Sequence, residues 1–300
     1  MSPPADRPVA GVLWMLLTGL CFVSLTIIVK YVGTSLPAAQ SAFLRYLLGL
    51  VFLIPMIRPM IAARLTKRQV WLFSLRGMVH TLGVILWFYA MTQITIAEVV
   101  AMNYVNPIYV TIGAALFLGE RLATRRILAI AVAFLGAMII LRPGFRELGP
   151  GHLAMVFTAI FLGASYLLAK LMTGEVRPVV ILGMLSVTVT IGLAPFAWAV
   201  WVPPSWEDVG WMFLVACFAT AGHYTMTRAF AAAPVAVTQP ATFLQLVWAV
   251  LAGWLIFGET IDVWVVIGGT IVLMAVSFIA WREYVLNRRA VTPVTHATKV

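Results

Sequence analysis

Charged side chains are scarce in this 300-residue chain, at 10% of all residues, and Asp and Glu together number only 10. A soluble domain carries about 25% charged residues, so the chain lacks the polar surface that a globule in water needs. Cysteine is also scarce: Cys21 and Cys217 both lie in apolar runs, which excludes a disulfide scaffold. Apolar residues are what the chain has, at 63% with a mean hydropathy of +1.02. This composition excludes a disordered chain and predicts a polytopic membrane protein.

Motifs of catalysis and of cofactor binding are missing as well. The sequence contains no HExxH, no Walker A motif and no glycine-rich nucleotide loop, and the two cysteines cannot form a thiolate metal set. We therefore expect no enzyme activity, no metal and no cofactor. Without a site for ATP, any transport must be downhill or coupled to an ion or a counter-solute.

Apolar runs long enough to cross a bilayer fill most of the chain. About 20 residues are needed for a helical span, and the alternating pattern of a membrane β-barrel is absent. The predicted fold is all-α, with ten transmembrane helices at 9–31, 38–57, 69–91, 96–118, 126–141, 151–171, 178–201, 208–230, 235–257 and 261–282.

The basic residues collect on one side of this arrangement. If both termini are cytoplasmic, the outer connections and helix ends hold only Lys30, Arg142 and Arg146 as basic residues, and the other loops hold the rest. Basic residues concentrate in cytoplasmic loops, so both termini are predicted to lie inside. The net charge of +10 is thus mainly a signal of orientation, and we expect no nucleic-acid partner.

An internal duplication divides the chain into two halves. Residues 11–30 and 151–170 share Gly, Leu, Met, Thr and Lys at equivalent positions, and Gly119-Glu120 after the fourth span has a counterpart in Gly258-Glu259 after the ninth. Two five-helix repeats are predicted, at 1–145 and 146–284, followed by a flexible basic tail at 285–300. Because five is odd, the second repeat must be inverted in the membrane. Inverted repeats are typical of secondary transporters.

These features resemble the EamA-type branch of the drug/metabolite transporter superfamily. The resemblance includes Leu118 to Arg121 (Leu-Gly-Glu-Arg), Leu141 to Gly144 (Leu-Arg-Pro-Gly) and Phe43 to Tyr46 (Phe-Leu-Arg-Tyr). It implies a central cavity lined by spans 1, 3, 4, 6, 8 and 9, export as the direction, and a bacterial cytoplasmic membrane as the location. One departure is the proline of the ninth span, Pro240, which lies out of register with Pro107 of the fourth.

Polar side chains inside the third span form a stripe. Arg76, His80 and Trp87 share one helical face, and ionisable groups within spans mark pathways or buried pairs. The stripe predicts a cavity wall that binds solute. The alternatives are that Arg76 reaches the lipid headgroups and that His80 only bonds a neighbouring helix.

The fourth span adds Asn103, Tyr104 and Asn106 beside Pro107. Because proline has no N–H to donate, the helix is expected to bend here and to leave the carbonyl group of Asn103 open. We predict that these residues line the cavity, with hydrogen bonds between helices as the alternative. Glu98 in the same span is a candidate for carrying a coupling proton, or a structural partner of an intramembrane arginine (Arg45 or Arg76).

The second half supplies Tyr166, Tyr224 and Gln245, of which Gln245 is in register with Asn106 across the repeat. This mixture of hydrogen-bonding groups and aromatic faces suits an amino acid, particularly an apolar or aromatic one, or a nucleoside-like or drug-like compound. The sequence thus predicts a small-molecule secondary transporter in the lipid bilayer, either a monomer or a homodimer. The competing hypotheses are a membrane-embedded enzyme acting on a lipid-linked substrate and a passive channel.

Overall fold

The computed structural model describes residues 8–118, 124–144, 147–172, 175–233 and 238–291. Those ranges are built from helices and short connections. The α-helices are α1 (Pro8–Val32), α2 (Ala38–Gly49), α3 (Ile57–Ala62), α4 (Lys67–Gln93), α5 (Ile96–Asn103), α6 (Asn106–Leu118), α7 (Thr124–Leu141), α8 (Pro150–Met172), α9 (Pro178–Ala199), α10 (Trp206–Ala232), α11 (Phe243–Phe257) and α12 (Val263–Val291). A 3-10 helix at Leu50–Met56 joins α2 to α3, and another at Gln239–Thr242 leads into α11.

Seven helices in the described ranges are long and apolar enough to cross a membrane, if α2, the 3-10 segment and α3 are taken as one span, Ala38–Ala62. Two further apolar helices, Ile127–Leu141 and Leu244–Phe257, are shorter. The all-helical membrane fold is confirmed, whereas the count of ten spans stays a prediction.

Two predicted boundaries need correction. The fourth span is not one helix, because α5 ends at Asn103 and α6 begins at Asn106. The missing N–H of Pro107 removes the helical donor for the carbonyl group of Asn103, and the N–H groups of Tyr104 and Val105 instead bond carbonyls three residues back. The last helix continues to Val291, since no Gly or Pro follows Gly269 until Pro293. The predicted tail at 285–300 therefore begins as helix.

Some predicted features lie outside the described residues. They are Gly119, Glu120 and Arg121 in the motif after the fourth span, the basic residue Arg146, and the last part of the predicted tail, 292–300.

The packing of the helices follows the predicted duplication. The most extensive contacts are α1 on α10, α4 on α8, and α7 on α12. If α1 corresponds to α8 and α4 to α10, the first two pairs are equivalent to each other. If α2 also corresponds to α9, the contact of α4 with α9 is equivalent to that of α10 with α2. If α6 corresponds to α11, the contact of α6 with α8 is equivalent to that of α11 with α1. Most of these contacts join one half of the chain to the other, so the core of the bundle is shared between the halves.

The α7–α12 pair depends on a close approach of two glycines. A Cβ atom added to Gly136 would lie 2.8 Å from the carbonyl oxygen of Gly268. One added to Gly268 would meet the carbonyl oxygen of Gly136 in turn, and Ile140 as well. Since backbone atoms cannot move aside as a flexible side chain does, only glycine fits at this crossing, as is common where membrane helices pack closely.

Candidate functional site

His80 lies at the midpoint of α4 and is the centre of a buried polar network. The imidazole is buried, and its Nε2 atom is 3.0 Å from the Tyr46 hydroxyl on α2. Its Nδ1 atom is 3.0 Å from the Ser165 hydroxyl on α8. Both ring nitrogens are therefore hydrogen-bonded, and one side chain joins three helices. Neither Tyr46 nor Ser165 is among the predicted site residues.

Arg76 lies one turn before His80 on the same face of α4. Its Nη1 atom donates a hydrogen bond of 3.0 Å to the carbonyl oxygen of Ile181 on α9. Only 5% of the residue is exposed, so the guanidinium group stays inside the bundle and does not reach the lipid headgroups. Its Nε atom is buried and has no hydrogen-bond partner among the described residues. Arg76 thus brings a positive charge to the side of the His80 network nearer the start of α4.

Tyr166 on α8 is partly exposed on the helix face opposite the lipid-facing side chains. The exposed apolar side chains of this helix, among them Leu153, Phe157 and Ile160, form one stripe that faces lipid. Tyr166 follows Phe157 by about two and a half turns, which places it on the opposite face. There it keeps 42% of its surface exposed, although it lies within electrostatic range of Arg76 and Tyr46. An exposed side chain on the inward face indicates a cavity beside the network.

Arg45 on α2 borders the same region and is missed by the sequence-based prediction of the site. Its guanidinium carbon lies 4.0 Å from the centre of the Tyr46 ring. The lipid-facing Leu47 is two residues further on and thus about 200° away around the helix. Arg45 is also within electrostatic range of His80 and of His223 on α10. His223 in turn packs edge-to-face on Phe22 of α1, with ring centres 5.3 Å apart.

The break between α5 and α6 holds the predicted residues of the fourth span. Tyr104 is buried, and its hydroxyl donates a hydrogen bond of 2.7 Å to the carbonyl oxygen of Thr242, just before α11. Asn103, in the last turn of α5, is half-buried, and the Oδ1 atom of Asn106 is buried with no partner among the described residues. Tyr104 thus ties the break to the second half, while Asn106 has an acceptor still to satisfy.

Two further predicted site residues, Trp87 on α4 and Gln245 on α11, make no hydrogen bond with the His80 network among the residues that the structure describes. Trp87, two turns beyond His80, is half-buried, and its indole N–H has no partner in the described part of the chain. Gln245 on α11 packs against Gly19 of α1, where an added Cβ atom would lie 3.2 Å from the Cβ atom of Gln245. Trp248 lies against the same glycine. The register of Gln245 with Asn106 stays a prediction.

Tyr224 stands apart from the His80 network in its contacts. Its hydroxyl accepts a hydrogen bond of 3.1 Å from Arg228, one turn later on α10. The guanidinium group of Arg228 also lies 5.3 Å from the Trp14 ring on α1. Tyr224 is 56% exposed. Its neighbour His223 on α10 lies within electrostatic range of Arg45.

Glu98 lies at the start of α5 and not among the central residues. Its carboxylate accepts hydrogen bonds of 2.9 Å from both the N–H and the hydroxyl of Thr95, which completes a capping box. The other carboxylate oxygen is 3.2 Å from Nε2 of His152 on α8. The expectation that Glu98 pairs with Arg45 or Arg76 is therefore wrong, because His152 is the nearer partner at this end of the bundle.

A second ionic cluster joins the ends of three helices. Lys30, at the end of α1, lies 2.5 Å from Glu259 and donates a hydrogen bond of 2.6 Å to the carbonyl oxygen of Ile94. Glu259 also accepts a hydrogen bond of 3.1 Å from the N–H of Ile96, at the start of α5. Lys30 is therefore more than the simple helix anchor that its position suggests. The repeated Gly-Glu pair is the sequence signal that marks this glutamate.

The comparisons with known proteins agree with a transporter architecture. Residues 9–142 and 149–281 each match the model of the EamA-like transporter family. A riboflavin transporter of Rhizobium johnstonii is 33% identical over 289 residues, which is 95% of each chain. An S-adenosylmethionine uptake transporter of Rickettsia prowazekii is 23% identical, covering 91% of this chain and 93% of its own. The pseudopaline exporter CntI of Pseudomonas aeruginosa is 25% identical, covering 89% and 94%.

Proposed function

This chain belongs to the EamA-like transporter family, and on that premise we propose that it carries a flat heteroaromatic metabolite of the flavin type across the cytoplasmic membrane. Family membership makes it a multi-pass membrane transporter of small solutes within the drug/metabolite transporter superfamily. The flavin class, the coupling and the site residues are the proposal. Transport is by alternating access, coupled to an ion or a counter-solute.

The exposed face of Tyr166, on the side of α8 turned away from lipid, is the observation that carries this proposal. Tyr46 and Arg76 lie within electrostatic range of it. Tyr46 is hydrogen-bonded to His80, which also bonds Ser165 and has Arg45 within electrostatic range. An isoalloxazine ring is planar and carries acceptor atoms along one edge, so it suits an aromatic face bordered by donors. The riboflavin transporter that is 33% identical over almost the whole chain supports the same class.

The proposed topology is ten transmembrane helices in two inverted five-helix repeats, with both termini in the cytoplasm. The equivalent packing of α1 on α10 and of α4 on α8 supports the repeat, as do the two segments that match the family model. The distribution of Lys and Arg supports the orientation. Repeats of this kind let a central site open to either side by rocking.

Export of an amino acid or a related metabolite is the second candidate. It is favoured by Arg45, which can bind a carboxylate as readily as a ring edge. The relatives include one named for uptake and one named as an exporter, so direction has to be measured. A membrane-embedded enzyme and a passive channel have no comparable support.

Flux into proteoliposomes tests the proposed function. We expect labelled riboflavin to enter with saturable kinetics and to exchange with unlabelled riboflavin placed inside, which a channel does not do. Unlabelled amino acids and S-adenosylmethionine are added as competitors, and loading from either side gives the direction. If an amino acid shows saturable flux and riboflavin shows none, flavin transport is refuted and amino-acid transport is supported.

Two substitutions on α8 provide a matched pair for the same assay. Tyr166→Ala removes the inward aromatic face, whereas Phe157→Ala removes an exposed ring of similar size from the lipid face. Stacking of a ring on an aromatic side chain contributes about 1–3 kcal/mol, so we expect KM for riboflavin to rise about fivefold or more in Tyr166→Ala. Phe157→Ala should leave KM near the wild-type value. Equal KM values in both variants contradict the site.

A further inference from the structure

We propose that Arg45 is the residue that anchors the solute, by donating from its two terminal nitrogens to a pair of adjacent acceptor atoms. This inference rests on the proposed function and gives its site a polar end. Arg45 makes no hydrogen bond within the described residues, and of its nitrogens only Nε is shielded without a partner. Its two Nη groups therefore retain access to open space.

The packing of Arg45 holds those donors ready. The guanidinium carbon lies 4.0 Å from the centre of the Tyr46 ring, and the Tyr46 hydroxyl is hydrogen-bonded to His80. A guanidinium group stacked on an aromatic ring keeps the N–H groups at its edge available for a ligand. Because Arg45 lies on the side of α2 away from the lipid-facing Leu47, that edge is turned into the bundle. Arg45 differs in this respect from Arg228, whose Nη1 is bonded to Tyr224.

No described carboxylate serves Arg45 as a counter-ion. The described acidic side chains all lie in connections between helices or in the first turn of a helix: Glu98, Glu147, Glu175, Glu207, Asp208, Glu259 and Asp262. Several of them already have other partners, such as Lys30 for Glu259 and Arg68 for Glu175. Arg45 is half-buried. A partly desolvated cation without a partner is costly, and a solute that completes the site would offset this cost.

The chemistry of the site defines the class of solute. A guanidinium group binds two adjacent acceptors in a planar fork. A carboxylate and a phosphate have such a pair, and so does the edge of an isoalloxazine ring, where a carbonyl oxygen adjoins a ring nitrogen. Arg76, within range of the same network, adds to the positive potential. We therefore expect the site to prefer neutral or anionic solutes with paired acceptors. S-adenosylmethionine has a carboxylate that fits the fork, but its net positive charge is repelled by Arg45 and Arg76, so it should bind more weakly.

Ligand binding to the detergent-purified full-length chain tests this inference. The probes are riboflavin, riboflavin 5′-phosphate, tryptophan and S-adenosylmethionine, and the variants are Arg45→Gln, Arg45→Lys and, as a control, Arg58→Gln. Arg58 lies at the other end of the same span, where it is exposed. We expect Kd for the bound probe to rise about tenfold or more in Arg45→Gln, since bonds to a charged donor are lost. The Kd of Arg45→Lys should lie between those of the wild type and Arg45→Gln. The Kd of Arg58→Gln should equal that of the wild type.

The set of probes separates the sources of the acceptor pair. If a ring edge is bound, riboflavin and its phosphate lose affinity equally in Arg45→Gln. If Arg45 binds a phosphate, only riboflavin 5′-phosphate loses affinity in Arg45→Gln. Binding of tryptophan in place of the flavins, lost in Arg45→Gln, removes the flavin proposal and supports the role of Arg45. Unchanged affinity for the bound probe in Arg45→Gln overturns that role and leaves the proposed function standing.

The stability of the ligand-free protein distinguishes an anchor from a structural residue. Removal of an unpaired, half-buried charge should leave the melting temperature of Arg45→Gln equal to or above that of the wild type. A clear decrease that Arg45→Lys restores assigns Arg45 a structural role and overturns the inference. Arg76→Gln serves as the contrast, because it breaks the hydrogen bond to the carbonyl group of Ile181 and should lower the melting temperature.

Discussion

Replacing Lys30 by methionine removes the ionic cluster that holds the ends of α1, α5 and α11 together. The Lys30 and Glu259 side chains are 17% and 12% exposed, and 2.5 Å separates their charged atoms. Breaking a buried ion pair by removing one partner costs about 3–5 kcal/mol. Partial exposure reduces that figure, and we expect about 2–3 kcal/mol for Lys30→Met. For a chain of this size, that corresponds to a decrease of about 4–10 °C in melting temperature.

A double-mutant cycle shows whether the loss comes from the pair itself. Glu259→Gln keeps an oxygen for the N–H of Ile96 but loses its charge, so alone it should also destabilise the protein. With Lys30→Met already present, Glu259→Gln should cost less, because the glutamate no longer has a cation to neutralise. We expect a coupling free energy of about 1–3 kcal/mol between the two positions.

The assay is the apparent melting temperature of the purified protein in detergent, measured for the wild type, both single variants and the double variant at a fixed scan rate. Lys170→Met, at the equivalent position on α8, is measured alongside to compare the two ends of the repeat. Strictly additive changes for the Lys30 and Glu259 variants refute the reasoning, because they leave no interaction between the two charges to account for the loss.

Three further substitutions test other parts of the fold and of the site. Gly268→Val should abolish folding or lower the melting temperature strongly, because its side chain collides with the backbone of Gly136; a melting temperature near the wild-type value contradicts the close crossing. Glu98→Gln weakens a helix cap and should cost about 1 kcal/mol of stability. If Glu98 carries the coupling proton, the same substitution should abolish the response of flux to a pH gradient. Equal flux in wild type and Glu98→Gln at every pH excludes that role. Hydrogen bonds from Arg68 lower the pKa of the exposed Glu175, so this pair contributes at neutral pH and its contribution is lost as the pH falls through the lowered pKa. The melting temperatures of wild type and Arg68→Gln should therefore differ at pH 7 and converge as the pH falls through the lowered pKa of Glu175; a constant difference contradicts the assignment.

Run length and hydropathy were enough to predict the helical membrane fold, because the bilayer requires long apolar segments with internally satisfied backbones. The same reasoning fails at the fourth span. An apolar run shows no break where a proline disrupts the hydrogen bonding, so 96–118 reads as one helix although α5 and α6 are separate. Pro107 indicates a disturbance there, but its extent depends on tertiary contacts such as the bond from Tyr104 to Thr242.

The candidate site is predicted from the sequence only in part. The spacing of Arg76 and His80 places both on one face of α4, and the structure buries both. The partners Tyr46 and Ser165 come from other helices, and a single sequence carries no signal for such pairings. Arg45 is visible in the sequence as a charge within a span, but only the packing of α2 shows which way it faces.

The pairing of helices across the two halves has a consequence for biogenesis. The contacts of α1 with α10, of α4 with α8 and of α7 with α12 each join an early segment to a late one. While the ribosome is still making the second half, the faces of α1 and α4 that later pack on α10 and α8 lack those partners. The central charges of Arg45 and Arg76 therefore enter the membrane before the helices that enclose them. Assembly cannot be complete until translation has passed α12. Two separately synthesised halves contain complementary surfaces through which they can associate.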